Sequence, residues 1–325
     1  MGDAAGIGPE IVVKALAAPG LPQDVRFVVV GDKNRLADAI DFCSLKSSIV
    51  AINHPQDVSS AFKTVYCYDL KLIPQDLPYG AVSALAGECA YRAIATAMKW
   101  AVAGEVAALV TAPISKAALH LAGHRYPGHT ELLAQLAGIP EVSLMMERPD
   151  LRVIHVTMHL GLLDAIAAIE PGLVFRTIAR GYQALRASGI ARPRLAVCGI
   201  NPHAGEDGLF GHGEEAAKIA PAIREAQGQG WDVSGPHPAD TLFYRARRGE
   251  FDMVVAMYHD QGLAPIKVLG IDEAVNVTVG LPVIRTSVGH GTAFDIAGNG
   301  VADAAGMVAA IWQAVRYAQA KQARL

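Results

Sequence analysis

RLAVCGINPHAGE, residues 194–206, runs from a short apolar segment straight into a polar loop. Its first part, Arg194 to Gly199, is β-rich and uninterrupted by polar residues, as expected of a strand covered on both faces. Beyond the loop, Gly213 to Gln227 repeats apolar residues at intervals of three and four, the period of a helix packed on one side. The same unit recurs along the chain. Val25 to Gly31, Thr64 to Tyr68, Val106 to Thr111, Arg152 to Thr157, Asp252 to Tyr258 and Ala274 to Val279 read as further strands. Val82 to Val102, Pro171 to Ser188 and Ala302 to Lys321 read as further helices. Such alternation specifies an α/β protein built on largely parallel strands. A length of 325 residues suits two domains, or one large unit divided by a cleft.

Composition agrees and excludes several functions. Hydrophobic residues make up 52% and aromatics 6%, so aliphatic side chains supply most of the core. Lys and Arg number 28 against 31 Asp and Glu, a net charge of −3 with no basic run, which argues against nucleic acid. No segment approaches a membrane span in length and apolarity, and no charged start leads into an apolar core and cleavage site. The expectation is a cytoplasmic protein with no membrane partner. Cys43, Cys67, Cys89 and Cys198 are too dispersed for a zinc knuckle and read as buried thiols. Gly2 to Glu10, GDAAGIGPE, is a turn entering a helix; such a turn ordinarily follows a strand, yet only Met1 precedes it. It is either a tight turn with Pro near the helix start or a ligand loop.

Three histidines are placed for chemistry. His159, His203 and His259 each fall just past the carboxyl end of a predicted strand, the edge of an open α/β sheet where ligands bind. Three neutral imidazoles suit a catalytic divalent metal, zinc first, with magnesium, cobalt and manganese as alternatives. A single such histidine would more often be a loop residue; three in one topological position weaken that reading. Asp240 and Asp260 could orient a metal-bound imidazole, accept a proton, or simply cap helices. His129 and Thr130 lie in GHTELL, residues 128–133, which opens a helix and offers free amides to an anion, or to Thr130 as a plain cap. Lys267, Asn276 and Arg285 are polar in apolar surroundings, and Arg285 can grip a phosphate or carboxylate with two hydrogen bonds. In HGTAFDIAGNG, residues 290–300, small residues around Asp295 would let the backbone approach a nucleotide, although a turn is the simpler account. No strand is followed by GxGxxG, so an ordinary Rossmann site is disfavoured.

These segments together resemble the 4-hydroxythreonine-4-phosphate dehydrogenase family from Gly2 to about Asp303. The carrying motifs are GDAAGIGPE at 2–10, TAPISK at 111–116, GHTELL at 128–133, NPHAGE at 201–206, PADTLF at 238–243, YHDQGL at 258–263 and NVTVGLPVIRTSVGHGTAFDIAG at 276–298. The opening turn and HGTAFDIAG also look like segments of isopropylmalate and isocitrate dehydrogenases. The resemblance implies a two-domain α/β/α, isopropylmalate dehydrogenase-like fold with an active-site cleft between domains. Residues 1–128 with 276–325 would form a cofactor-side domain holding both termini, and 129–275 a metal-binding and dimer-forming domain.

It further implies that His159, His203 and His259 bind the metal, one of them donated by the second subunit of a homodimer. His129, Thr130, Lys267, Asn276 and Arg285 would hold a small anionic substrate. Gly291, Thr292, Ala293, Asp295 and Asn299 would lie at the cofactor end, with NAD or NADP as hydride acceptor. Asp240, Asp260 or Lys267 would handle the proton. The implied reaction is oxidation of a secondary alcohol followed by decarboxylation. Ala4 stands where the family commonly has Pro, and 159–163 and 206–211 depart from the vitamin B6 pathway enzyme. The substrate is therefore open among 4-hydroxythreonine 4-phosphate, a phosphorylated four-carbon sugar acid and the cis-dihydrodiol of terephthalate. From other classes, a metal-dependent hydrolase needs no dinucleotide, and a non-catalytic anion-binding protein needs no metal.

Overall fold

The computed structural model describes all residues except 23, 60–62, 127, 271 and 325. Two units emerge, Met1–Pro140 with Leu281–Ala318, and Glu141–Gly280 with Gln319–Leu325. His129 and Thr130 thus group with the N-terminal segment, Asn276 with the middle one, and the last residues of the chain with the middle unit.

The first segment carries α1 (Gly8–Ala17), β1 (Val28–Gly31), α2 (Lys33–Phe42), β2 (Ser48–Ile52), β3 (Thr64–Asp69), α3 (Ala84–Val102), β4 (Ala108–Thr111), α4 (Lys116–Leu121) and α5 (His129–Ala137). The middle segment carries β5 (Ser143–Arg148), β6 (Leu151–His155), α6 (Leu162–Ala168), α7 (Pro171–Ala187), β7 (Arg194–Cys198), α8 (Ala220–Gly228), β8 (Asp232–His237), α9 (Ala239–Arg247), β9 (Met253–Ala256), α10 (His259–Val268) and β10 (Val275–Val279). The returning segment adds β11 (Ile284–Ser287) and α11 (Ala305–Gln322).

In the first unit, β1, β3 and β2 form a parallel sheet in that order, and β4 pairs in parallel with β11. α2, α3 and α4 start where side chains satisfy free amides. The Asp32 carboxylate accepts from Asn34 and Arg35 at 3.1 Å, and Ser115 Oγ accepts from Ala118 N at 3.2 Å. Ile7, Ile11, Ala112, Val288, Met307 and Ile311 make one apolar cluster there. A buried polar clamp joins the ends of this unit. Lys14 Nζ donates to Glu10 Oε1 at 3.0 Å and to the carbonyls of Gly300 and Ala302 at 2.7 Å, while Glu10 Oε1 also accepts from Ala302 N.

α3 meets the backbone of α4 at Gly87, where a Cβ would fall on the carbonyl of Ala118. Backbone on both sides leaves nothing to give. Gly87→Ala is therefore expected to lose about 1–3 kcal/mol of stability, read as a lower midpoint in urea unfolding. An unchanged midpoint would show that the helices separate at no cost.

In the second unit the strand order is β10-β5-β6-β9-β7-β8. β10 with β5 and β5 with β6 are antiparallel, whereas β6, β9, β7 and β8 run parallel to one another. β5 and β9 are buried along their whole length, and Leu144, Met146, Val153, Ala196, Val254 and Ile266 form the core beneath α9 and α10.

Several sequence expectations are corrected. β1 begins at Val28, not Val25. The helix expected over Gly213 to Gln227 is a π-helical stretch, Glu215–Ile219, followed by α8; Pro221 has no amide to donate, so the ladder changes register before it. The strands β2, β5, β8 and β11 were absent from the sequence reading. Thr130 does not cap α5, whose N-cap is Gly128, and neither Asp240 nor Asp260 caps a helix, since Pro238 and Tyr258 hold those positions without side-chain bonds. All four cysteines are free thiols, three buried and Cys43 half-buried. Among the described residues no helix is long and apolar enough to cross a membrane.

Candidate metal centre and anion site

The three histidines sit on consecutive neighbours of the second unit's sheet. β6, β9 and β7 are adjacent and parallel, so their carboxyl ends face one way, and His159, His259 and His203 each follow one of those ends. β8 extends the same parallel set, and Asp240 follows it, exposed in the first turn of α9. His159 occupies an exposed left-handed position with φ 48°, and its ring lies 6.2 Å from that of His259, centroid to centroid.

Two of the imidazoles are held in a defined tautomer. His259 Nδ1 lies 2.6 Å from Asp260 Oδ1, and His203 Nδ1 lies 3.0 Å from Glu206 Oε2. A carboxylate at Nδ1 keeps the proton there and frees the Nε2 lone pair, the arrangement of metal-binding histidines. The donor set therefore fits a divalent ion of zinc type. Among the described residues, however, no three His, Cys, Asp or Glu side chains gather within the chain closely enough to hold one. His159 and His259 lie near each other, and His203 does not gather with them.

The loop carrying His203 is conformationally unusual. Residues 203–207 all have positive φ, from 39° at Glu206 to 83° at Gly205, which makes one turn of left-handed helix. Non-glycine residues pay about 1 kcal/mol or more each for that conformation, so it persists only where surroundings impose it. Glu215, from the π-helical stretch, accepts the amides of Ile200 and Asn201 on Oε1 at 2.9 and 2.7 Å and Asn201 Nδ2 on Oε2 at 3.0 Å.

Beneath this site lies His155, the last residue of β6, which sequence reasoning did not single out. Its Nδ1 sits 3.2 Å from the Leu144 carbonyl, and its buried Nε2 has no hydrogen-bond partner. Burial pushes the imidazole down from 6.5 to about 4. The folded protein thus resists a proton that the unfolded chain accepts below 6.5, and stability is lost as pH falls from there towards 4. The group alone accounts for roughly 3 kcal/mol across that window. In urea unfolding between pH 7 and 4.5, His155→Gln should flatten the decline; an unaltered slope would remove His155 as its source.

In the first unit, the anion-side residues converge differently. Gly128 enters α5 in extended conformation, placing His129 and Thr130 in the first turn. His129 is held well below its ordinary pKa by burial first and by the Arg285 charge second, so it is a neutral ring. Arg285, on β11, is 1% exposed and donates to Thr111 Oγ1 at 2.6 Å. Burial pushes its guanidinium down to about 9. Thr111 belongs to the TAPISK motif, and its contact with Arg285 makes it a further candidate that the sequence reading left unassigned.

The cofactor-end residues lie on the loop beyond β11. Thr292 O accepts from Ile7 N at 3.0 Å, Ala5 O accepts from Gly80 N at 2.8 Å, and Asp3 N donates to Pro113 O at 2.9 Å. The opening turn, the 79–80 turn, the TAPISK segment and the 292–294 loop are thereby tied together. Gly291, Asp295 and Asn299 are exposed, and Ala293 has φ 40°. Lys267 is exposed in the last turn of α10, and Asn276 is half-buried on β10, both in the second unit.

The sequence matches the family model described as pyridoxal phosphate biosynthetic protein PdxA over residues 23–314. It is 57% identical to a D-threonate 4-phosphate dehydrogenase of Cupriavidus necator, covering 98% of this chain and 96% of that one. A crystal structure of a 4-hydroxythreonine-4-phosphate dehydrogenase from Burkholderia phymatum is similar with a TM-score of 0.87 and 56% identity, over 98% of this chain and 96% of that one. A terephthalate 1,2-cis-dihydrodiol dehydrogenase from Burkholderia xenovorans is more distant, with a TM-score of 0.67 and 33% identity over 97% and 96% of the two chains.

Proposed function

Because the chain belongs to the PdxA family and is a dehydrogenase of that α/β fold, we propose that it oxidises the C3 alcohol of a four-carbon, 4-phosphorylated acid with NAD or NADP and releases carbon dioxide. The observation that carries this reading is the set of imidazoles at the carboxyl ends of β6, β9 and β7, two of them with Nδ1 engaged by a carboxylate. D-Threonate 4-phosphate and 4-hydroxythreonine 4-phosphate differ only at C2, hydroxyl against amine. Both put a phosphate at one end and a carboxylate β to the alcohol carbon. We rank the threonate first on the 57% identity with the Cupriavidus necator enzyme.

His159, His203 and His259 would hold the divalent ion, zinc before cobalt, manganese or magnesium. When bound, the ion would acidify the substrate hydroxyl and steady the enolate left by decarboxylation, and the nicotinamide would accept the hydride. Arg285, with the α5 N-terminus at His129 and Thr130, would bind the phosphate, since a buried guanidinium and free helix amides both favour an anion. His129 is neutral at working pH and would act there as a hydrogen-bonding group without charge. Lys267 and Asn276 would contact the substrate. Asp260 is occupied in orienting His259, which leaves Asp240 or Lys267 to take the proton. Gly291, Thr292, Ala293, Asp295 and Asn299 would receive the dinucleotide.

The functional form would be a homodimer that completes the metal site. The chain alone gathers no metal-binding trio among its described residues, and exposed Leu160, Leu162, Leu163, Leu209 and Phe210 flank His159 and His203, as a covered surface would require.

Reduction of NAD and NADP, followed by absorbance, should be measured with both phosphorylated acids and with terephthalate dihydrodiol, before and after metal removal. Metal-dependent reduction with a phosphorylated acid is expected. Phosphate release without any dinucleotide would instead establish a hydrolase.

A further inference from the structure

His203 is 61% exposed, and its ring contacts with Glu206 and Phe210 stay within its own loop, so they do not tie the left-handed turn to the rest of the unit. The tie lies behind it. Glu215 is nearly buried, and its two oxygens collect the amides that precede the turn, Ile200 N and Asn201 N, together with the Asn201 side chain. Glu214 Oε2 adds a second hold on Asn201 Nδ2 at 2.9 Å and takes His212 N at 2.7 Å, fixing the far end of the same loop. The turn is packed directly on the Glu215 carboxylate. A Cβ at Gly205, where φ is 83°, would lie 2.8 Å from Glu215 Oε2, so only glycine fits between turn and carboxylate.

The local break in helical register serves this contact. Glu215 opens the π-helical stretch, and such bulges recur where a helix must aim a side chain away from its regular position. An ordinary cap would be satisfied by one oxygen. Here both oxygens are used, and the loop they hold carries the imidazole that stands apart from His159 and His259.

We infer that Glu215 is a positioning residue for divalent-metal binding: it locks the left-handed turn 203–207 and thereby sets the place of the His203 imidazole. The inference rests on His203 being a metal ligand. Glu215 itself touches neither metal nor substrate.

The test uses the full chain, stripped of metal with a chelator, and two probes: zinc affinity by competition with a chromophoric chelator, and the visible absorption of bound cobalt. Glu215→Gln keeps the size of the side chain but presents an amide NH2 donor to the Asn201 Nδ2 donor, so it should loosen the turn without emptying the site. It is expected to weaken zinc binding about 10- to 100-fold and to shift the cobalt bands, with the circular dichroism of wild type. Glu225→Gln, an exposed glutamate on α8, removes the same charge and should leave both readouts unchanged.

Equal zinc affinity and an identical cobalt spectrum in a folded Glu215→Gln protein would overturn the inference. If that variant does not fold, Gly205→Ala, which disturbs the same contact from the loop side, is judged by the same criterion. A wild-type protein that binds neither ion would instead overturn the metal reading on which all this rests.

Discussion

His203→Ala should abolish turnover while leaving the fold intact. The side chain is exposed on a loop, so its removal opens no cavity. Loss of a ligand from the proposed metal site would remove several kcal/mol of charge stabilisation, and about 4 kcal/mol corresponds to about a thousandfold in rate. Turnover and far-ultraviolet circular dichroism measured on the same sample separate the two effects. Wild-type turnover would remove His203 from the metal site. If the site is completed by a second subunit, mixing this variant with a His259→Ala protein should restore part of the activity, because some hybrid sites then have every ligand.

Arg285→Ala is expected to raise the substrate KM by about 100-fold and to leave the KM for NAD or NADP unchanged. A buried guanidinium already bears the cost of desolvation, visible in its fall to about 9, so it is set up to bind an anion with little further loss. Truncation also leaves a void around a side chain that is 1% exposed. Arg285→Lys is therefore the companion variant: it keeps the charge, loses the two-pronged grip, and should fall between wild type and Ala. An increase in cofactor KM with substrate KM unchanged would mean that the substrate and cofactor ends are exchanged.

The placement of the three candidate histidines was legible because strand ends are legible. The apolar runs before His159, His203 and His259 are short, β-branched and bounded by polar loops, and each became a strand. Strands without those marks were not. β5 reads SLMMER, with no β-branched residue, and is a strand because tertiary packing buries it completely. β8 contains Gly235 and Pro236, which in a sequence signal a turn; as the outermost member of the order found in its unit, it tolerates a missing amide. β2 exposes Ser48, Val50 and Ala51 and so lacks a clean apolar face.

Within the site, residue types were legible and conformations were not. GEDG, residues 205–208, carries no sign that a glutamate and an aspartate adopt positive φ, because the cause, Glu215, lies beyond the turn and bonds backbone amides, which leave no trace in side-chain pattern. Thr111 was overlooked for a related reason. Its role depends on β4 lying beside β11, a pairing between segments far apart in the chain.

The clamp of Lys14 and Glu10 on residues 300–302 sets an order of events during synthesis. Those bonds unite a helix with a loop that follows it by 286 to 292 residues along the chain. The N-terminal unit cannot reach its final packing until that loop has emerged from the ribosome, whereas the strands of the middle unit are complete once residue 279 has emerged. The unit whose first strands are made earliest is thus the last to be completed.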